Sequence, residues 1–248
     1  MSRLDKKVAV VTGASKGIGA GIARAFAAEG ASVVVNYSSS KEGADKVVAE
    51  IEAAGGKAVA VKGDVSVAAD AEAIIAAAID NFGKLDVLVN NSGVYEFQPI
   101  EDITEESFHR TFNINVLGTI LTSRAAVKHM TEGGSIINVG SVVTSITPPG
   151  SSSYTGSKAA IEAITGVLSR ELGARKIRVN SINPGMVETE GTHTAGFIGS
   201  DFEKFAVSST PLGRVGQVSD IAPVAVFLAS DESGWLTGEK ILAGGGMR

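Results

Sequence analysis

A chain of 248 residues, 44% of them apolar and 20% charged, has a globular composition and enough length to bury a core without disulfides or metals. Its 27 acidic residues outnumber 22 basic ones, no long Lys/Arg run is present and no cysteine occurs, which excludes a nucleic-acid footprint, thiolate nucleophiles and cysteine-ligated zinc. No uninterrupted run of about 18 apolar residues is present, which excludes a spanning helix; the N-terminus does not read as a signal peptide, and the expected compartment is the cytoplasm.

In chain order, KVAVV predicts a strand, GIARAFAAEG a helix, ASVVVN a strand, EGADKVVAEIEAAG a helix, KAVAV a strand, DAEAIIAAAIDNFG a helix and LDVLVN a strand. The alternation continues with a helix over about 105–131, the strand SIINVG, a helix over about 154–173 and the strand IRVNSIN. Strands this uniformly apolar need cover on both faces, so the expected fold is α/β: a doubly wound parallel sheet of about seven strands with helices on each side. After Pro184 the rhythm breaks. Residues 185–213 read as a substrate loop or lid with one short helix near 201–209, followed by a helix over about 217–229 and a last strand near 239–243. No repeat or linker divides the chain, so residues 1–248 are expected to form one domain.

Two short motifs carry the chemistry. Gly13, Gly17 and Gly19 lie between the first strand and the first helix, where glycine lets backbone approach a pyrophosphate and the helix N-terminus supplies free N–H groups. Tyr154 and Lys158, in SSSYTGSKAAIE, sit one helical turn apart, so phenol and ammonium share a face. A nearby cation favours the phenolate, which predicts a Tyr154 pKa below its ordinary value of about 10. The alternatives without chemistry are a ligand-free glycine turn and a packed ring beside a solvated amine.

Together, T-G-x-x-x-G-I-G, NNSG at 90–93, Asn115 in NINVLG, Ser141 in INVGS, Tyr-x-x-x-Lys and NPGMVET at 183–189 closely resemble the short-chain dehydrogenase/reductase family over nearly the whole chain. The resemblance implies a single Rossmann domain, commonly a homotetramer, here through the helices around 107–131 and 154–173. It implies hydride transfer between a nicotinamide and a ketone or secondary alcohol. Tyr154 would be the general acid/base and Ser141 the donor to the substrate oxygen. Lys158 would tune the tyrosine and hold the nicotinamide ribose, and Asn115 would hold a helix kink and a water linked to Lys158.

For the cofactor the resemblance points to Gly13, Ser15, Lys16, Gly17, Ile18 and Gly19 in the turn, and to Asn36, Tyr37 and Ser38 at the end of the second strand. It adds Asp64 and Val65 near the adenine, Asn91, Ser92 and Gly93 after the fourth strand, and Pro184, Gly185, Val187 and Thr189 at the nicotinamide. Where an NAD-binding fold carries an acidic residue this chain has Asn36, and Lys16 adds a positive charge, so the expected cofactor is NADP(H). Asp64 could instead cap the next helix, as could Ser66. No metal is expected, because His109, His129 and His193 are scattered.

Substrate contacts are expected from Tyr95, Glu96 and Phe97, from Val142, Val143 and Met186, and from the lid residues Phe197, Phe202 and Phe205, a mostly apolar set. A small-molecule carbonyl reductase is the first expectation. A 3-oxoacyl-carrier-protein reductase, a glucose 1-dehydrogenase-like enzyme and a nicotinamide-binding regulatory protein stay open. TEGGS before the fifth strand lacks the basic residues that an acidic carrier would favour, although Arg124, Lys128, Arg170 and Arg175 lie on the flanking helices or at their ends. Ala243, in LAGGGMR, stands where many relatives carry aspartate.

Overall fold

A computed structural model describes residues 2–248. Seven parallel strands form one sheet in the order β3-β2-β1-β4-β5-β6-β7: β1 Val8–Val11, β2 Ser32–Tyr37, β3 Lys57–Lys62, β4 Leu85–Asn90, β5 Met130–Val139, β6 Arg178–Pro184 and β7 Lys240–Ala243. The connecting helices are α1 Gly17–Ala28, α2 Lys41–Ala53, α3 Ala68–Phe82, α4 Glu105–Phe112, α5 Gly118–Ala126, the short α6 Val143–Ile146, α7 Ser152–Leu172, the short α8 Glu190–Thr194, α9 Asp201–Ser209 and α10 Val218–Ala229. The chain starts in the middle of the sheet, runs outward to β3 and returns to β4. The carboxyl ends of β1 and β4 therefore flank the point where the winding reverses, and ligands collect in that crevice.

Side-chain alternation divides the core. Ala9, Val11, Val33, Val35, Val87, Val89 and Ile137 pack under α1 and α10, and Val8, Val10, Val34, Leu88 and Ile136 face α3 and α5. Period-2 alternation with both faces buried gives the unbroken apolar runs seen in the sequence.

The expected helix over 105–131 is two helices, joined by a π-helical turn at Asn113–Leu117, and it ends at Ala126. β5 then begins at Met130, earlier than the SIINVG run, and shifts register against β4 between Leu85 and Val87. Residues 185–213, expected as a lid, carry α8 besides the expected α9, and α8 is nucleated by a capping box in which Thr189 and Thr192 exchange hydrogen bonds. Among the described residues no helix is long and apolar enough to cross a membrane.

Candidate active site

At the carboxyl edge of the sheet a cleft of about 740 Å³ runs from the glycine turn to the lid. Gly13 (φ +59°) and Gly17 (φ +58°) adopt left-handed backbone that admits glycine without strain. A Cβ on Gly13 would stand 3.0 Å from Ser92 Cα, and one on Gly19 would fall 2.4 Å from Asn91 Nδ2. Gly13, Ser15, Lys16, Gly17 and Ile18 line the cleft. Gly19 does not; it lets α1 pack under the turn.

Asn36 and Tyr37 also depart from expectation. Asn36 is 1% exposed; its Oδ1 accepts the Gly13 N–H at 3.1 Å and its Nδ2 donates to the Gly63 carbonyl at 3.1 Å. It braces the turn from beneath instead of meeting a ribose. Tyr37 packs in the core. The floor of the cleft at this end is Ser38 with Ser39, Ser40 and Gly63; of these only Ser38 was among the expected residues, and the serine run was the only signal for Ser39 and Ser40.

Asp64 and Val65 line the cleft. The Asp64 carboxylate accepts Ser66 N–H at 2.9 Å and Ser66 Oγ–H at 2.7 Å. Neither residue caps α3, whose N-cap, Val67, makes no side-chain bond.

Beyond β4, the Thr12 hydroxyl accepts the N–H groups of Asn91 and Ser92, both at 3.0 Å. Asn91 Nδ2 in turn donates to the carbonyls of Thr12 and Gly13. These bonds lock the two loops at the switch point together, and Asn91, Ser92 and Gly93 line the cleft. Asn90 turns away into a buried polar ladder. It donates to Asn138 Oδ1 at 2.9 Å and to Ser123 Oγ at 3.0 Å, and it accepts from Thr122 at 2.6 Å.

Asn115 sits in the π-helical turn, 2% exposed and set back from the cleft. Its Oδ1 accepts Val94 N–H at 2.8 Å, and its Nδ2 donates to Val94 O at 2.9 Å and to Ser157 Oγ at 3.0 Å. The expected kink is this turn, and the side chain ties the loop after β4 to α7.

Ser141, Tyr154 and Lys158 meet in the cleft. Lys158 Nζ lies 5.9 Å from the centre of the Tyr154 ring and donates to the Val139 carbonyl at 2.8 Å. Burial lowers the lysine pKa to about 8. Burial also pushes the Tyr154 phenol up, with the Ser141 hydroxyl pulling the other way. The expected depression of the tyrosine is therefore not found, because desolvation outweighs the Ser141 hydrogen bond. The phenol is a protonated donor at neutral pH. The Ser141 oxygen accepts Val143 N–H at 3.2 Å, which leaves its own proton for a partner in the cleft.

Aromatic side chains wall the cleft around Tyr154. Its ring centre lies 6.3 Å from Tyr95 and 6.1 Å from Phe97; Phe97 meets Phe197 at 5.8 Å and Phe202 at 5.9 Å. Val142, Val143, Met186 and the half-exposed Phe205 complete the apolar lining. Glu96 is outside it, paired with Arg110, which does line the cleft and was not foreseen. Met247, from the C-terminus, is another unforeseen lining residue. Pro184, Gly185, Val187 and Thr189 line the opposite wall, and Gly185 donates its N–H to Ala243 O at 3.2 Å. Among the described residues no three His, Cys, Asp or Glu side chains gather as a metal site would need; His193 lies 2.9 Å from Glu188.

A family model described as enoyl-(acyl carrier protein) reductase matches residues 13–248. The chain is 62% identical, over all of both sequences, to an uncharacterized oxidoreductase of Methylorubrum extorquens. It is 40% identical to a probable tetrahydroxynaphthalene reductase of Zymoseptoria tritici, over 97% of this chain and 94% of that one. Its fold superposes with a TM-score of 0.94, at 36% identity and 99% coverage of both chains, on a short-chain dehydrogenase from Burkholderia cenocepacia in complex with NADP.

Proposed function

The chain belongs to the short-chain dehydrogenases/reductases, a family of NAD(P)-dependent oxidoreductases, and from that premise we propose that it is an NADP(H)-dependent carbonyl reductase acting on aromatic or bulky apolar ketones. The observation that carries this reading is the convergence of Ser141, Tyr154 and Lys158 in one cleft walled by Tyr95, Phe97, Phe197 and Phe202.

The residues present fit a dinucleotide. Gly13 and Gly17 leave room that a Cβ would narrow, and the N-terminus of α1 opens onto the cleft. NADP(H) is favoured over NAD(H) because Ser38, Ser39 and Ser40 present hydroxyls where a carboxylate would repel a 2′-phosphate, with exposed Lys16 across from them on the same cleft. The Burkholderia neighbour's NADP complex agrees with this choice. In this reading Asp64 and Val65 serve the adenine end, Asn91 to Gly93 and Lys158 the ribose, and Pro184, Gly185, Val187 and Thr189 the nicotinamide.

When bound, the nicotinamide supplies the hydride that reduces the carbonyl carbon. Tyr154 gives its proton to the carbonyl oxygen and becomes a phenolate. Its raised pKa keeps that proton in place beforehand, and the Lys158 ammonium stabilises the phenolate afterwards. Ser141 donates its free hydroxyl proton to the same substrate oxygen. Asn115 holds Val94 and Ser157, and so the spacing of loop and helix around the lysine. Residues 185–213 act as a lid, contributing Phe197, Phe202 and Phe205.

Aromatic walls suit flat ring substrates, and the Zymoseptoria relative is named for a reductase of a fused aromatic. Carrier-protein docking is disfavoured because Lys128 and Arg124 are engaged by Glu72, at 2.6 and 3.9 Å, and Arg175 is turned onto the carbonyls of Val127 and Met130. A homotetramer in the cytoplasm completes the reading. Phe108, Leu117 and Ile120 expose one apolar face on α4 and α5, Val167 another on α7, and Trp235 is 98% exposed near β7.

The test is NADPH oxidation with 1-tetralone, acetoacetyl thioester and glucose in parallel. A preference for 1-tetralone supports the proposal; a strong thioester preference replaces the substrate class, and no ketone-dependent turnover rejects it.

A further inference from the structure

Glu162 follows Lys158 by one turn of α7 yet does not line the cleft. Its side chain is 12% exposed and takes three donors. Oε1 accepts from Thr144 Oγ at 2.6 Å and from Asn183 Nδ2 at 2.7 Å; Oε2 accepts from Lys240 Nζ, on β7, at 2.8 Å. Burial would push the carboxyl pKa up, but the bonds from Lys240, Thr144 and Asn183 prevail and hold it below the ordinary carboxylate value. The group is ionised at neutral pH.

An ionised carboxylate only accepts, so it dictates how its neighbours turn. The fully buried Asn183 amide must face Nδ2 toward Glu162, and that nitrogen also reaches the Ser141 carbonyl at 3.3 Å. Asn183 Oδ1 then faces away and accepts Ser181 Oγ–H at 2.9 Å. The Thr144 hydroxyl, aimed at Glu162, stands 3.1 Å from the same Ser141 carbonyl. The fit is tight: a Cβ on Gly140, the residue before Ser141, would fall 2.3 Å from Asn183 Oδ1. The Ser141 carbonyl is therefore held by the Asn183 amide, whose direction the carboxylate sets, and rests against the Thr144 hydroxyl, whose single proton goes to Glu162.

We propose that Glu162, anchored by Lys240, is a positioning residue that aims the Ser141 hydroxyl at the substrate oxygen through Asn183 and Thr144. The proposal rests on the reading of Ser141 as the oxygen's donor. Glutamine at 162 would keep the volume but present both a donor and an acceptor, so the Asn183 amide would lose its imposed direction.

The test is a double-mutant cycle on the full-length enzyme with NADPH and 1-tetralone, measuring kcat and KM for NADPH. Glu162→Gln is expected to lower kcat about tenfold, with KM for NADPH within about twofold of wild type, and to have no further effect in a Ser141→Ala background. A Glu162→Gln effect of equal size in both backgrounds, or none in the wild type, overturns the positioning role. Retention of full activity by Ser141→Ala itself overturns instead the reading on which the proposal rests. If Glu162→Gln does not fold, Thr144→Val carries the same cycle, because it removes one of the donors that fix the carboxylate while Asn183 and Lys240 still pair it.

Discussion

The Glu190 carboxylate accepts the Gly17 N–H at 3.0 Å, so the first turn of the lid closes onto the N-terminus of α1. A dinucleotide's phosphates need that same positive helix end. The side chain and the cofactor then compete for one donor, and an acidic group so placed repels a second anion. Glu190→Gln keeps the shape and removes the charge. It is expected to tighten NADPH binding about two- to fivefold, the worth of one charge at an exposed helix N-terminus, as read by NADPH fluorescence titration. Weaker binding would mean that Glu190 holds the lid for the cofactor and not against it.

In the proposed mechanism Tyr154→Phe removes the proton donor and little else, because the ring keeps its contacts with Tyr95 and Phe97. The expected result is a fall in kcat of at least about a hundredfold, as for loss of a general acid, with the NADPH dissociation constant unchanged within about twofold. Steady-state kinetics and fluorescence titration separate the two quantities.

Lys158 fixes the pH behaviour. Its pKa is lowered by burial from 10.5 to about 8, so the ammonium that would hold the cofactor and steady the phenolate is lost as pH rises through about 8. The kcat/KM for NADPH, which reports the free enzyme, is expected to fall above that pH, and a profile flat to pH 9.5, about one and a half units beyond, would contradict it. Stability moves the other way. Below about 8 both folded and unfolded chains carry the charge, and its burial is felt in full. Between about 8 and 10.5 the unfolded chain binds more protons, so the penalty shrinks as pH rises. Lys158→Met is therefore expected to be more stable than wild type at pH 7, by about 1–3 kcal/mol, and to lose that advantage toward pH 10. Urea midpoints at the two pH values measure this.

The ladder beneath the site predicts a stability loss. Asn138 accepts from Asn90 at 2.9 Å and donates to Thr165 Oγ at 2.9 Å, with all three side chains buried. Asn138→Leu leaves a donor on Asn90 without a partner and takes a donor from Thr165. The expected loss is about 2–4 kcal/mol, or about 4–16 °C in Tm for a chain of this size, read by thermal denaturation.

The sheet was legible because its central strands bury both faces, which leaves apolar runs such as VAVV and LDVLVN. The cleft residues were legible where glycine or a spaced Tyr-Lys pair marks them. What escaped the sequence depends on tertiary context. Asn36 lies at the position of a ribose contact but is pulled under Gly13 by backbone donors and acceptors that no local pattern reveals. The break in the helix after Phe112 has no proline to announce it; only the family resemblance at Asn115 pointed to it, and the bonds from Asn115 to Val94 that hold it span the fold. The pKa of Tyr154 was misjudged because spacing shows the nearby cation but not the surrounding desolvation. Arg110 and Met247 reach the cleft from elements far away in sequence.

Phe97 decides whether the aromatic wall serves substrate or only Tyr154. Its ring centre is 6.1 Å from Tyr154, 5.8 Å from Phe197 and 5.9 Å from Phe202, so it joins the Tyr154 ring to residues 197–202 of the proposed lid. If a flat aromatic ketone packs against it, Phe97→Ala removes a stacking partner and buried apolar area together. That predicts a loss of about 10- to 100-fold in kcat/KM for 1-tetralone. A small aliphatic ketone such as 2-butanone leaves that wall untouched, so its kcat/KM should change less than about threefold. If both substrates suffer equally, Phe97 acts by holding Tyr154 in place, and the preference for aromatic ketones must come from elsewhere in the cleft. Retention of the 1-tetralone preference at full rate would remove Phe97 from either role.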